Sequence, residues 1–126
     1  MMVSNLDKAI EKNEKYLQAL RMVKEVSEIE ARNVYDIAFQ KYITLEGTAP
    51  AANFLNDNGY RTQGVRGERK YISTDITKMI EDESIHEKVN PKILFLALGL
   101  KNSRAYSNRM DKLIKISNKY YQAFAG

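Results

Sequence analysis

Apolar residues recur along the N-terminal part of the chain with the spacing of an α-helix. Residues 5–26 have an apolar residue at nearly every third or fourth position, which predicts an amphipathic helix. Its apolar stripe is Leu6, Ile10, Leu17, Leu20 and Val23, with Asn13 interrupting it. Such a stripe is typical either of a helix that packs on its own domain or of one that pairs with a second copy. We expect a homodimer, in which an asparagine at the seam would set the register.

The next apolar segment reaches from Ala31 to Ile43. Ser27 followed by Glu30 has the spacing of a capping box. The pattern therefore leaves two arrangements open, one long helix to about Ile43 or a second helix that begins near Ser27. Gly47 ends the segment in either case.

Turn chemistry delimits the helices in the middle of the chain. Thr48 is expected to cap a short apolar helix with a proline in its first turn, and Asn58-Gly59 closes that helix. Residues 60–71 are polar and contain two glycines, which predicts a loop or a short β-hairpin. Ser73 is expected to cap the next helix. The buried stripe of that helix is expected to be Ile72, Ile76, Met79 and Ile80.

The last third of the chain predicts two further helices. Asn90-Pro91 is a start signal for a helix that is apolar through Leu98 and is expected to stop at Gly99. Ser103 is expected to cap the final helix.

These elements predict an all-α protein, a helical bundle that contains a helix-turn-helix and has room for a short β-hairpin at 60–71. We divide the chain into residues 1–30, an N-terminal amphipathic helix, residues 31–83, a helix-turn-helix core, and residues 84–126, a helical pair with a basic face.

The composition narrows the classes of function. The 126 residues include no cysteine, which excludes disulfides, thiolate zinc sites and cysteine nucleophiles. The chain has no run of about 20 apolar residues and opens with no signal peptide. We therefore expect a protein of the cytoplasm, in bacterial terms the cytoplasm or nucleoid, with no membrane partner.

The positive charge is unevenly distributed. The formal net charge is +4, and residues 100–126 alone hold six basic residues and one acidic residue. The near-neutral middle of the chain contains a local basic cluster, diluted only by Glu68. The cluster is Arg61, Arg66, Arg69 and Lys70. Concentrated positive charge attracts a polyanion such as DNA.

The helix that follows this cluster has the composition of a DNA-reading helix. In a helix-turn-helix the second helix packs one face on the scaffold and places small, polar or basic side chains in the major groove. Here the predicted outer face is Ser73, Thr74, Thr77 and Lys78. The basic cluster just before it is placed to contact phosphates. We therefore predict a helix-turn-helix, with a tight turn, between about Tyr35 and Asp82.

The same stretch resembles a known family of DNA-binding domains. The residues that carry the resemblance are Val34, Ile37, Tyr42, Gly47, Ala51, Ala52, Leu55, Asn56, Gly59, Tyr60, Thr62, Tyr71, Ile76 and Ile80. In this order, with a glycine-bearing loop before the aromatic, they resemble the helical "recombinase" domain that follows the catalytic domain of large serine recombinases. The resemblance covers about residues 31–83, and the family usually has tryptophan where Tyr71 stands. Residues 1–30 are too short for a catalytic serine domain. The resemblance therefore implies a mode of DNA contact and not strand exchange.

The basic C-terminal segment is a candidate second DNA contact. Residues 93–98 would be the first helix of a second helix-turn-helix, with Gly99 in its turn. Its outward residues would be Ser103, Arg104, Ser107, Asn108 and Arg109. A solvated basic face and a simple phosphate contact are the other two interpretations, and the sequence leaves all three open.

Candidate catalytic and metal-binding residues are few. His86 is the single histidine, and a metal site needs at least three ligands with suitable geometry. The carboxylates at 75 and 81–83 lack the second acidic cluster that nuclease chemistry needs, and the eight tyrosines lack an activating Arg/His constellation. We therefore expect no enzyme, metal site, cofactor or small-molecule substrate.

The sequence thus predicts a protein that binds double-stranded DNA sequence-specifically. The resemblance alone implies its setting, as a transcriptional regulator or accessory factor of a bacterial, phage or plasmid system. The alternative is a small helical protein-interaction module, an inhibitor or adaptor, that uses the fold without binding DNA.

Overall fold

The computed structural model describes residues 4–103 and 108–124, and this part of the chain is helical apart from one short hairpin. Its elements are α1 (Asn5–Ser27), α2 (Val34–Thr44), α3 (Thr48–Asp57), β1 (Thr62–Gly64), β2 (Gly67–Arg69), α4 (Ser73–Glu81), α5 (Glu83–His86), α6 (Pro91–Asn102) and α7 (Arg109–Phe124). The prediction of an all-α bundle with a short hairpin within 60–71 is confirmed. No helix in the described ranges is long and apolar enough to cross a membrane.

The helices pack as three pairs. Helix α1 packs against α7, α2 against α6, and α3 against α4, while the α2–α6 pair also contacts members of both other pairs. One hydrophobic core runs through all of them, so the segments 1–30, 31–83 and 84–126 contribute to a single core. The basic C-terminal helix α7 therefore belongs to a different pair of helices from α4, the helix that follows the hairpin.

Two buried polar side chains of α2 bond to backbone groups of the neighbouring segments. The fully buried carboxylate of Asp36 accepts hydrogen bonds from the backbone N–H of Asn90 (2.8 Å) and of Arg32 (3.0 Å). The buried amide of Gln40 donates to the carbonyls of Val26 (3.0 Å) and Ile29 (2.8 Å). These bonds satisfy backbone groups of the loop between α1 and α2 and of the start of α6, which would otherwise be buried without partners.

Local capping chemistry determines several of the helix ends. Asn90 caps α6 by accepting from the N–H of Lys92, and Pro91 occupies the first helical position, as predicted. Helix α1 ends at Ser27 and α2 begins at Val34 after an Asn33 cap. Neither arrangement considered from the sequence is therefore correct, because residues 28–33 form a connection between the two helices.

Two predicted helix starts are confirmed, and one predicted helix end is wrong. Helices α3 and α4 begin at Thr48 and Ser73, although Gly47 and Ile72, and not these two residues, occupy the capping positions. Gly99 does not stop a helix, since α6 continues to Asn102. An added Cβ at Gly99 would lie 3.1 Å from the Ile116 side chain of α7, so the glycine permits close packing of these two helices.

Helix α1 buries a different face from the predicted one. Ala19, Met22 and Val26 are its buried residues. The four leading members of the predicted stripe face solvent; they are Leu6 (69% exposed), Ile10 (48%), Leu17 (49%) and Leu20 (41%). Only Val23, at the end of that stripe, packs against the core. Helix α1 thus has one apolar face inside the bundle and a second one outside it.

Candidate nucleic-acid interface

Helix α4 separates an apolar inner face from a polar outer face. Ile76, Met79 and Ile80 are buried against α2, α3 and α6. The four predicted DNA-reading residues lie on the other side: Ser73, Thr74 and Lys78 are exposed, and Thr77 is half-buried. The hydroxyl of Thr77 donates to the carbonyl of Ser73 at 3.3 Å. The outer face therefore presents short hydroxyl side chains and one cation.

The connection between α3 and α4 is a β-hairpin. Residues 58–72 separate the two helices, so the connection is the short hairpin expected at 60–71 and not the tight turn of a helix-turn-helix. Strands β1 and β2 pair antiparallel, with Thr62 opposite Arg69 and Gly64 opposite Gly67. Val65 and Arg66 form the hairpin tip, and Val65 is fully exposed. The hairpin and α4 together form the candidate interface, which we call the hairpin–α4 surface (residues 60–81).

Asn56 anchors the hairpin to α3. Its side-chain amide donates to the Tyr71 carbonyl at 2.9 Å, and its side-chain oxygen accepts from the Tyr71 N–H at 2.7 Å. The ring of Tyr71 is buried in the core, and burial raises the pKa of its hydroxyl. Gly59, with φ +83°, provides the left-handed residue with which the chain leaves α3. The Leu-Asn, glycine and aromatic positions of the recombinase-like pattern thus have structural roles in this connection.

Arg69 and Asp75 join the hairpin to α4. The guanidinium donates from Nη1 to Oδ2 at 2.8 Å and from Nη2 to Oδ1 at 2.7 Å. The Arg69 side chain crosses over Gly64, where an added Cβ would lie 2.9 Å from its Cδ. Asp75 also accepts from the Ile72 N–H at 2.8 Å, which caps α4. The hydrogen bonds from Arg69, assisted by that of Ile72, hold the pKa of Asp75 below its usual value.

The other three members of the basic cluster have different surroundings. Arg61 donates to the carbonyls of Asn56 (3.1 Å) and Tyr60 (2.6 Å), and so covers the C-terminal end of α3. Arg66, at the hairpin tip, and Lys70, just before α4, are exposed, and neither side-chain cation has a protein partner in the described ranges. Arg66, Lys70 and Lys78 are therefore the cations of this surface that are available to a ligand.

The hairpin–α4 surface has a local excess of positive charge. Residues 60–80 contain five basic and two acidic residues, and one of those acids, Asp75, is neutralised by Arg69. The remaining acid, Glu68, lies opposite Gln63 on the hairpin. A positive surface of this kind attracts phosphate groups, and its effect decreases as salt rises.

One of the three interpretations of the basic C-terminal segment placed the turn of a second helix-turn-helix at Gly99, and this turn is absent because α6 continues through Gly99 to Asn102. Ser103 donates to the Gly99 carbonyl at the end of α6, and Asn108 caps α7 by accepting from the Asp111 N–H. Arg109 bonds the Ile43 carbonyl and pairs with Glu46, which ties α7 to the end of α2. Arg104 and Ser107 lie outside the described residues.

His86 is part of the packing around α5. Its Nε2 lies 2.7 Å from the Ile80 carbonyl, and its ring meets Phe39 edge-on. Among residues 4–103 and 108–124, no group of three or more histidine and carboxylate side chains could hold a metal ion.

Sequence reasoning missed the two residues that position the interface. Asp75 was considered only as a carboxylate for nuclease chemistry, although an acidic residue at the third position of a helix is a capping signal. Asn56 was noted only as part of the Leu-Asn pair, and its partner Tyr71 is 15 positions away along the chain. Comparison of the chain with family models, with curated proteins and with solved structures finds no match.

Proposed function

We propose that this protein binds double-stranded DNA sequence-specifically through the hairpin–α4 surface. The observation that carries the proposal is the exposed face of α4, with Ser73, Thr74 and Lys78, to which the Arg69–Asp75 pair joins the hairpin that leads from Arg66 to Lys70. Short hydroxyl side chains can hydrogen-bond to base edges, and a lysine can contact guanine.

The dimensions of α4 suit the major groove. An α-helix with its side chains is about 10–12 Å across, which fits a groove about 12 Å wide, and the nine residues of α4 make it about 13 Å long. With its apolar face held by the core, the helix would enter the groove by its N-terminal turn, as recognition helices do. Ser73, Thr74 and Thr77 would then face bases, with Lys78 at the edge of the groove.

The hairpin would contact the DNA backbone. Arg66 and Lys70 would bind phosphates beside the groove, and Lys78 one at its edge. The guanidinium of Arg61 donates to the carbonyls of Asn56 and Tyr60 instead. Arg69 has a different role in this proposal from the one expected, because its guanidinium is bound to Asp75. It positions the hairpin relative to α4.

The setting of this activity is a transcriptional regulator or accessory factor of a bacterial, phage or plasmid system. What supports the setting is the recombinase-like pattern of residues 31–83. In the connection from α3 through the hairpin to α4, the Leu-Asn, glycine and aromatic positions of that pattern have structural roles. A shared fold would require such roles.

Fluorescence anisotropy with labelled duplexes tests the proposal. Selection from a random duplex pool first identifies the preferred sequence. The double variant Arg66→Ala, Lys70→Ala should bind all duplexes more weakly, because phosphate contacts carry no sequence information. Thr74→Ala should instead reduce the preference for the selected sequence over a scrambled one.

Lys119→Ala is the matched control. Lys119 is an exposed lysine on α7, which packs with α1 and α6, away from α4. Its loss should leave affinity close to that of the wild type. Equal weakening by Lys119→Ala, or unchanged affinity in the Arg66, Lys70 double variant, would overturn the assignment of the surface.

One observation favours the alternative function, a protein-interaction module. Ile72, at the start of α4, is 55% exposed, and Val65, at the hairpin tip, is fully exposed. Exposed apolar side chains near a polar face are common at protein interfaces. If the protein fails to bind any duplex at low salt, this alternative replaces the proposal.

A further inference from the structure

We propose that the outer apolar face of α1 is a self-association surface, on which a second copy of α1 packs antiparallel. This inference does not depend on DNA binding, and its test contains no DNA.

The exposed face of α1 has the pattern of a helix–helix seam. Leu6, Ile10, Asn13, Leu17 and Leu20 follow one another at alternating steps of four and three residues. With 3.6 residues per turn, this seam lies about 165° round the helix from the buried Ala19, Met22 and Val26. The seam is therefore on the far side of the helix from the bundle.

The N-terminal turns of α1 bury no side chain within the described chain, and Lys12 joins them to α7 by an ion pair with Asp111 at 3.3 Å. Residues 4–15 are all exposed, and the first partly buried residue is Tyr16. A helical segment of about 12 residues is marginal in water without tertiary packing. A second copy on the seam would cover about four turns of helix and four large apolar side chains.

Charges beside the seam favour an antiparallel pair. Asp7 and Glu14 flank its N-terminal half, and Arg21 and Lys24 its C-terminal half. None of these four side chains forms an ion pair in the part of the chain that the structure describes. An antiparallel partner brings Asp7 of each copy beside Arg21 of the other, which gives two opposite-charge contacts, while Glu14 meets its own equivalent near the two-fold axis. In a parallel pair, the charged edge of one helix would lie against Ala9 and Tyr16 of the other, and neither of these residues is charged.

One register satisfies the apolar, polar and charged positions together. When the two helices cross near Asn13, Leu6 meets Leu20 of the second copy and Ile10 meets Leu17. Asn13 then meets its own equivalent on the two-fold axis, where a pair of amides can hydrogen-bond and fix the register.

The seam is short, so the association should be weak. From Leu6 to Leu20 it is about 21 Å long, and a single pair of helices buries less than the roughly 800 Å² per partner of a standard interface. We expect a monomer–dimer equilibrium in the micromolar range.

Sedimentation equilibrium measures this association. Leu17→Gln should raise the dimer dissociation constant about tenfold or more, because the change acts on both copies. Val65→Gln is the matched control, since it removes an exposed apolar side chain from the hairpin tip and should not alter the constant. A wild-type chain that remains monomeric at millimolar concentration overturns the inference, and so does a dimer that Leu17→Gln leaves unchanged.

Disulfide trapping tests the orientation, and the absence of native cysteine makes it clean. Under oxidising conditions, a mixture of Leu6→Cys and Leu20→Cys chains should form a cross-linked heterodimer, whereas Leu6→Cys alone should not cross-link. Gln18→Cys, exposed on another face of α1, is the control that should stay monomeric. Efficient cross-linking of Leu6→Cys to itself would show a parallel pair and overturn the antiparallel arrangement.

Discussion

The guanidinium of Arg69 and the carboxylate of Asp75 form a bidentate ion pair, with N–O distances of 2.8 and 2.7 Å. Six positions apart in sequence, the two residues join the end of the hairpin to the first turn of α4. A planar guanidinium fits a carboxylate in a fixed orientation, so the pair sets the angle of the hairpin as well as its distance. It thereby determines where Arg66 and Lys70 lie relative to the exposed face of α4.

The Asp75 carboxylate should make stability depend on pH in a defined direction. Its pKa in the folded protein lies below its ordinary value of 3.8, chiefly because Arg69 donates to it. A depressed folded pKa gives stability that is complete above the unfolded pKa and is lost as pH falls through the folded pKa. Asp75→Asn should therefore lower the free energy of unfolding by about 1 kcal/mol at neutral pH, and this difference should shrink in strong acid.

Urea denaturation at neutral and acidic pH measures that difference. Glu30→Gln, an exposed carboxylate in the connection before α2, is the control and should cost little at either pH. A loss for Asp75→Asn that is as large in strong acid as at neutral pH would show that the charge of the carboxylate is not what stabilises the connection.

Asn56 should be a major contributor to the stability of the hairpin connection. Asn56→Ala leaves both the N–H and the carbonyl of Tyr71 without their partner in a partly buried place, at a cost of about 1–3 kcal/mol. Asn56→Asp keeps the acceptor for the Tyr71 N–H and should cost less than Asn56→Ala. Asn53→Ala, at an exposed position of the same helix, should change stability by under about 0.5 kcal/mol. Equal stability of the Asn56→Ala and Asn53→Ala variants would contradict the anchoring role.

The turn between α2 and α3 should prefer glycine at position 46. Glu46 has a positive φ of 62°, a conformation that is unfavourable for residues with a Cβ. Glu46→Ala keeps this strain and loses the exposed ion pair with Arg109, whereas Glu46→Gly loses the pair but relieves the strain. The glycine variant should therefore be about 1 kcal/mol more stable than the alanine variant in thermal or urea unfolding. An alanine variant of equal or higher stability would refute the left-handed turn.

Gly99 should not tolerate a methyl group while Ile116 is present. In most helix interiors Gly→Ala is stabilising, but here the new Cβ would lie 3.1 Å from Ile116 atoms. We expect Gly99→Ala to destabilise the protein by about 1 kcal/mol in the wild-type background. With Ile116→Ala already present, the same change should be neutral or stabilising. A double-mutant cycle measures this coupling, and additive effects would contradict the close packing of α6 on α7.

The sequence predicted those features of the fold that depend on neighbouring residues. The start of α6 at Asn90-Pro91 follows from a side chain that caps a helix two residues away, and the hairpin follows from glycines at its turn. The expected stop at Gly99 failed because a long-range contact decides it. Ile116, on another helix, needs the space that a missing Cβ leaves.

The two apolar faces of α1 show a second reason why the sequence alone could not predict the whole fold. Periodicity correctly revealed a leucine-rich stripe, but α1 carries a second apolar set in Ala19, Met22 and Val26, and the bundle packs on that smaller set. Which face is buried depends on the shape of the α7 surface opposite.

The candidate site was predicted in composition but not in detail. The outer face of α4 follows from helical spacing alone. The pairing of Arg69 with Asp75 and of Arg109 with Glu46 does not, because a pattern of charges does not say which cations already have a partner.

The salt dependence of duplex DNA affinity tests the central claim most directly. If Arg66, Lys70 and Lys78 each displace a counterion from a phosphate, log Kd should rise with log salt concentration with a slope of about 3, since each contact contributes about 0.9. The Arg66→Ala, Lys70→Ala double variant should reduce this slope by about 2, and Lys119→Ala should leave it unchanged. A wild-type affinity that does not vary with salt, or a slope that the double variant does not reduce, would contradict DNA binding through the hairpin–α4 surface.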